Sequence, residues 1–315
     1  MKKILILSLS VLSTLLFSAC TDQANQPESQ AETIIGKHTI RFTEPPKRIP
    51  APHSVDAPLL GNGFTGVALS GTPESQVFYV ARNDFWRLKS ALDESFPLVL
   101  AKIELDIPQL KDASYLVEQQ LYDAVSTARF TKGDISVSYK AFVPEDMLIV
   151  DLNMEGNGAV EGSAGIFFLG KEEQINKPPL ERIFPDVREH ETKPNGVEYL
   201  SRAFVDSVDI PTKGAMALRV SGSTDGKFTL EPGKTVRLVC AFSSNFKSDD
   251  CVATVIKKVE DFTPARQAEI EKSHKEWWRN YWEKSYVSIP DSVIEKQYYL
   301  SLYGMGACSR DMDFP

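Results

Sequence analysis

Cysteine and histidine are scarce in this 315-residue sequence, four of each, and none of them stand at metal-ligand spacing. There is no CxxC, and His38, His53, His190 and His274 are scattered along the chain, so no metal site can be read from the sequence and no cofactor is implied. Basic residues are also in deficit, 35 Lys and Arg against 43 Asp and Glu. The formal charge of −8 becomes about −10 once Lys2 and Lys3 are set aside with the N-terminal leader. An acidic surface disfavours nucleic acid and anionic lipid and suits neutral substrates. A convincing long helix is missing before residue 252, which excludes bundle folds for the larger part of the chain.

What is present begins with a leader. Lys2 and Lys3 precede an apolar run from Ile4 to Phe17 that is too short to span a membrane as a mature helix. Ser18-Ala19-Cys20 follows and resembles the lipobox of bacterial lipoproteins, with Phe17 standing where Leu is more usual. That resemblance implies a signal peptide over 1–20, a lipidated Cys20 as the new N-terminus, and a place in the bacterial cell envelope, held to a membrane only through acyl chains. Ordinary signal cleavage near Cys20 is the alternative. Residues 21–35 are poor in apolar side chains and are expected to form a flexible tether. Of the other cysteines, Cys240 and Cys251 are expected to be buried free thiols, with a disulfide between them as the alternative, and Cys308 stands apart.

From residue 36 to about 250 the text reads as short strands broken by Gly, Pro, Asn and Asp. Ile135-Val137-Tyr139-Ala141 alternates with Ser136-Ser138-Lys140, which is the period of a strand with one wet face. Ten or more such segments predict a mainly β fold, a sandwich of two large antiparallel sheets. Residues 170–196, charged and holding four prolines, are expected to be a long loop.

The period changes at 251–288. Thr263-Pro264 sets an N-cap and a first-turn proline, after which Ile270, His274, Trp277, Trp278, Tyr281 and Trp282 share one helical face. So aromatic a stripe is expected to be core, packed against a sheet or a following domain. Over 289–315, Ser292-x-x-Glu295 has the form of a capping box opening a second helix with Ile294, Tyr298, Leu302 and Met305 on one face. That stripe still lacks partners when the text ends at Phe314-Pro315, which suggests a truncated sequence.

Two motifs bear on chemistry. Gly61-Asn62-Gly63-Phe64-Thr65-Gly66 matches the dinucleotide fingerprint in form, but strand text follows instead of a helix, so it is read as a hairpin whose glycines serve tight turns. Arg82-Asn83-Asp84-Phe85-Trp86-Arg87 places hydroxyl-binding polar groups beside an aromatic face, the composition of a sugar contact. The competing reading is structural: capping by Asn83 or Asp84, and burial of Phe85 and Trp86.

The order Leu60-Gly61-Asn62-Gly63, hairpin, Asn83-Asp84-x-Trp86 resembles the N-terminal domain of glycoside hydrolase family 95 and related six-hairpin glycosidases. Tyr115-x-x-Glu118-Gln119, Trp277-Trp278-x-x-Tyr281-Trp282 and Gln297-Tyr298-Tyr299 through Arg310 extend the resemblance over nearly all of residues 50–315. It implies a β-supersandwich, a helical linker and the first helix of an (α/α)6 barrel whose inverting carboxylate pair lies beyond this chain. The chain is then a glycoside hydrolase fragment, inactive alone, with no catalytic residue of its own. Asn83, Asp84 and Trp86 are its candidate contacts to a carbohydrate substrate, and Arg310-Asp311 would approach the barrel mouth. The segment Asn83-Asp84-Phe85-Trp86 is more compact than the family's opening, which counts against fucosidase specificity. A glycan-binding envelope lipoprotein without catalysis is the alternative; the unpartnered stripe from Ile294 to Met305 counts against it. A purely structural envelope protein is a third reading. The text carries no sign of oligomeric state.

Overall fold

The structure, a computed structural model, describes residues 29–49, 55–90, 95–170 and 186–313. Cys20 and most of the tether lie outside the described residues. The fold opens before the tether was expected to end, with helix α1 (Gln30–Ile35). Ser29 caps it by accepting the Glu32 amide, and Ala31, Ile34 and Ile35 form a buried face at helical spacing. These three residues are enough to seat one and a half turns because the aromatic helices described below supply the rest of the apolar surface.

Fifteen strands follow among the described residues: β1 (Thr39–Phe42), β2 (Leu59–Gly61), β3 (Thr65–Thr72), β4 (Ser75–Arg87), β5 (Phe96–Asp106), β6 (Ser114–Gln120), β7 (Val125–Lys132), β8 (Ile135–Phe142), β9 (Met147–Glu155), β10 (Val160–Phe167), β11 (Val187–Thr192), β12 (Glu198–Phe204), β13 (Thr212–Val220), β14 (Lys227–Leu230) and β15 (Val236–Ser244). They build the expected two antiparallel sheets. One has nine strands in the order β1-β6-β7-β8-β9-β15-β13-β12-β11, the other six in the order β14-β10-β5-β4-β3-β2. The strand β11 corrects the reading of residues 170–196 as loop throughout. It is exposed at every position and pairs with β12 alone, from Val187 opposite Ala203 to Thr192 opposite Glu198. Edge strands of this kind carry charged text such as Arg188-Glu189-His190-Glu191, so no apolar alternation marks them.

Alternate side chains of both sheets meet in one core, with Phe78, Phe85, Phe130, Phe204 and Phe242 among its largest members. The outer face of the nine-stranded sheet is covered by helix α2 (Cys251–Glu260). Val255 and Val259 settle onto Ala215, Ala217 and Ala241, small residues that let helix and sheet approach closely.

Helices α3 (Pro264–Glu283) and α4 (Ser292–Cys308) complete the chain. As expected, α3 is capped by Thr263, which accepts the Arg266 amide, and buries Ile270, His274, Trp278 and Trp282. The start of α4 differs from a capping box: Asp291 is the N-cap, accepting the amides of Val293 and Ile294, and Glu295 turns inward. Its buried stripe is Tyr299, Tyr303 and Ala307, packed with Trp278, Trp282 and the α1 face. Of the stripe expected to lack partners, Ile294 and Met305 are 56% and 64% exposed, whereas Tyr298 and Leu302 are partly buried and pack against the aromatic cluster.

Candidate functional site

The hexapeptide Arg82 to Arg87 is not a loop. It forms the end of β4, where a register irregularity between Ala81 and Trp86 interrupts the alternation of faces, so that Asp84 and Phe85 are buried in succession. Phe85 is fully buried in the core, and so is Asp84. Arg82 makes a two-pronged ion pair with Asp84, Nε to Oδ1 at 2.9 Å and Nη2 to Oδ2 at 2.8 Å, and Ser244 donates to the same carboxylate at 2.6 Å. The other guanidinium arm donates to Thr65 at 3.1 Å and Asp146 at 2.9 Å. Burial alone would lower the Arg82 pKa, but Asp84 and Asp146 outweigh it and raise it. Asp84 and Phe85 are thus buried, and the Arg82–Asp84 pair joins β3, β4 and β15.

Asn83 and Trp86 are half-buried. The indole of Trp86 donates to the Asn83 carbonyl at 2.6 Å, which fixes the ring, and the Asn83 amide donates to Asp311 at 3.3 Å. Lys247 reaches Asp311 at 2.9 Å and lies 5.4 Å from the Phe64 ring centroid. Burial pushes the Asp311 carboxyl up, but the Lys247 ammonium, the Asp313 amide and Asn83 outweigh that and hold it below its ordinary value.

The glycine-rich turn between β2 and β3 is where the helices attach. Asn62 accepts the amides of Phe64 and Thr65 and closes the turn. The Gly63 amide donates to the Ala307 carbonyl at 2.7 Å, and a Cβ at Gly63, where φ is +84°, would stand 2.1 Å from the Arg310 side chain. At Gly61 a Cβ would stand 2.4 Å from the Ala307 carbonyl oxygen. The fingerprint-like text is thus a hairpin, as expected, and its missing side chains admit α4. Arg310 lies over Trp277, its guanidinium carbon 3.0 Å from the ring centroid and 4.9 Å from that of Trp278. Burial lowers its pKa to about 9.

The sequence did not mark Gln119 and Tyr303 as a joint. Gln119 exchanges two hydrogen bonds with Leu59 as a strand neighbour would, at 3.0 and 2.9 Å, and the Tyr303 hydroxyl donates to the Leu59 carbonyl at 2.7 Å. Beside it runs an apolar groove of about 400 Å³, floored by Val67, Ala68 and Tyr79 and walled by Phe42, Leu300 and Gly304. Glu295 is 1% exposed and anchors α4 at its other end, held by Lys37 at 2.6 Å, His38 at 2.8 Å and the Ile289 amide at 2.6 Å. These contacts, first the Lys37 hydrogen bond and then the Ile289 amide, lower its pKa to about 2 against the effect of burial.

Cys240 and Cys251 are free and buried as expected, while Cys308 is free and exposed. Among the described residues no three His, Cys, Asp or Glu side chains gather as metal ligands, and no helix is long and apolar enough to cross a membrane.

No protein-family model matches the sequence, and no curated protein matches it. Solved structures do. A protein described as a kojibiose phosphorylase from the human microbiome superposes with a TM-score of 0.56 at 12% identity, covering 79% of this chain and 39% of its own. A family GH92 α-mannosidase from Bacteroides thetaiotaomicron covers 82% of this chain and 40% of its own, at 8% identity and a TM-score of 0.34. The first of these likenesses shows a shared fold. This chain spans 39% of the length of that phosphorylase.

Proposed function

We propose that this chain is the sandwich and linker portion of an exported glycoside hydrolase, anchored to the bacterial cell envelope through a lipid on Cys20. The observation that carries the reading is the double character of α4. Its inner face is locked to the sandwich by Tyr299, Tyr303 and Ala307, while Val293, Ile294 and Met305 leave 76%, 56% and 64% of their surface open. Apolar side chains left open on a helix whose other face is fixed are places for further helices to cover. Its place beside the candidate site suits a helical barrel standing on the sandwich, and the fold shared with a carbohydrate-active protein supports it.

In this reading the reacting carboxylates belong to the barrel. The sandwich contributes Asn83 and Trp86, the two residues of the β4 end with surface to offer. Asp84 acts from beneath by fixing Arg82. Lys247, Asn83 and Asp311 form the polar rim at which strand and helix meet. Inverting hydrolysis would need an acid and a base roughly 6.5 to 9.5 Å apart on either side of the glycosidic bond.

One alternative has a specific observation behind it. The neighbour with the TM-score of 0.56 is described as a phosphorylase, so the bond would be cleaved by phosphate instead of water. The experiment is to read the gene past codon 315 and assay the longest product on a panel of α- and β-glycosides, with and without inorganic phosphate. Cleavage without phosphate supports the hydrolase reading; cleavage only with phosphate replaces it by the phosphorylase. A stop codon at that place, with a folded product that binds glycans and cleaves none, replaces both by a glycan-binding lipoprotein.

A further inference from the structure

Far from the β4 end, a recess of about 250 Å³ opens at the edge of β10, lined by residues of both sheets. Strand β10 pairs with β14 only up to Ser163, so its last residues have one free edge, and Glu198 of the opposite sheet reaches over to accept the Ile166 amide at 3.1 Å. The register places Gly165 opposite Glu104 and Ser163 opposite Asp106 on the outer face of the six-stranded sheet. Gly226 closes the rim with φ of +80°, a conformation glycine adopts without strain. Asp225 lies beside it at the mouth.

We infer that this recess is a binding subsite for one neutral sugar ring, separate from the contacts proposed at Asn83 and Trp86. It rests on the reading of the chain as part of a saccharide-processing protein. Along β4 the two places are about 20 Å apart, at roughly 3.3 Å per residue. The volume falls below the roughly 300–1,000 Å³ of sites for drug-sized ligands, so it suits a single ring.

The chemistry of the lining selects the class. Phe167 is 41% exposed, and its ring lies over Gly165, where an added Cβ would stand 3.1 Å from the ring and 3.4 Å from Glu198 Oε2. An aromatic face next to a carboxylate, with no side chain between them, matches the two aspects of a pyranose, apolar C–H on one side and hydroxyl donors around the edge. The acceptors are held in place by their neighbours. Glu104 pairs with Lys102 at 2.8 Å, Asp106 accepts from Ser75 at 2.6 Å, and Glu198 bonds His190 at 2.6 Å. An ionised carboxyl has about four lone-pair sites, so each keeps capacity for a hydroxyl. Acceptors in this number turn away an anion, and these side chains do not gather as metal ligands.

The test uses the full chain, with methyl α-glucoside and methyl α-mannoside as probes, followed by saturation-transfer NMR and titration calorimetry. Transfer to the ring protons of at least one glycoside is expected, with affinity weakened about tenfold in both Phe167→Ala and Glu104→Gln. Phe167 is exposed enough for its loss to leave the fold intact, and circular dichroism of both variants checks this. The inference is overturned if neither glycoside binds, if binding is unchanged in both variants, or if spermidine or calcium binds there in place of sugar. Failure here is separable from failure of the hydrolase reading. A longer gene product that cleaves glycosides, while this chain binds neither probe, removes the subsite alone. Binding lost in Phe167→Ala, by a longer product without activity, keeps the subsite and removes the hydrolase.

Discussion

The side-chain amide of Asn83 donates to the carboxylate of Asp311 across 3.3 Å, joining residues 228 positions apart in the sequence. With Lys247 on the same carboxylate at 2.9 Å, it ties the end of β4 to the segment after α4, so sandwich and helices meet at the place where the sugar contacts are proposed. Asn83→Ala and Asp311→Ala are each expected to loosen residues 305–313. Faster amide exchange there, with exchange in the sandwich core unchanged, is the expected result.

Gly63 is the second fastening of that segment. Gly63→Ala introduces a Cβ 2.1 Å from Arg310 at a backbone φ of +84°, so both the turn and the stacked guanidinium must move. A loss of about 1–3 kcal/mol is expected in urea unfolding, with a fall in tryptophan fluorescence change as Trp277 loses its cover. Gly66→Ala, where a Cβ meets nothing within 4 Å, is the control and should cost far less.

The Arg82–Asp84 pair has 0% side-chain exposure on both sides. Removing Arg82 strands the buried Asp84 carboxylate, so Arg82→Ala should destabilise the domain by roughly 3–5 kcal/mol, whereas Asp84→Ala leaves Arg82 its ion pair with Asp146 at 2.9 Å and should cost less. Replacing both together by apolar residues, Arg82→Met with Asp84→Leu, should cost less than Arg82→Ala, with Asp146 then left to Lys258 at 3.7 Å. Equal losses in the single and double variants would show that packing, not charge, is at stake.

Two groups with large shifts contribute to the acid response. Burial lowers the His274 pKa from its usual 6.5 to about 4, so the unfolded chain takes up protons first and stability falls as pH drops from about 6.5 to 4. The order of magnitude is about 3 kcal/mol for the full span. The lowered pKa of Glu295, about 2, extends the loss: its contribution is complete above about 4.5 and disappears as pH falls through 2. Chemical unfolding at pH 7, 5 and 3 should show both declines. His274→Asn should flatten the upper one and Glu295→Gln the lower one.

Thiol chemistry separates the cysteines. With Cys20 changed to Ser, one thiol, Cys308, is expected to react with a disulfide reagent in the native protein, and two more, Cys240 and Cys251, only on unfolding. Burial pushes all three thiols above their ordinary pKa, so exposure, not thiolate character, sets Cys308 apart.

The sandwich was legible because its strands are amphipathic: Ile135 to Phe142 has the bounds that its alternation predicts. The elements that escaped notice were those whose neighbours supply the apolar surface. The helix α1 needs the tryptophans of α3, β2 needs the side chain of Gln119, and β11 shows no buried position at all. The candidate site was half legible. Residue types alone picked out Asn83, Asp84 and Trp86, but strict alternation would put Asp84 and Trp86 on one face, and only the register irregularity between Ala81 and Trp86 separates the buried Asp84 from the two that keep surface. Arg310 and Asp311 were in view, and their partners, Trp277 and Asn83, could not be paired across more than thirty and two hundred residues by any local pattern.

The first helix of the domain rests on its last two. His38 meets Glu295 at a separation of 257 residues, and Ala31, Ile34 and Ile35 share a cluster with Trp282, Tyr299 and Tyr303. A chain emerging from the ribosome must therefore carry its N-terminal segment without a seat until almost 300 residues have been made. Long-range closure of this kind is slow. Both sheets can therefore be complete while the N-terminal helix still has nothing to rest on, and the seat for α1 is the last of these contacts to form.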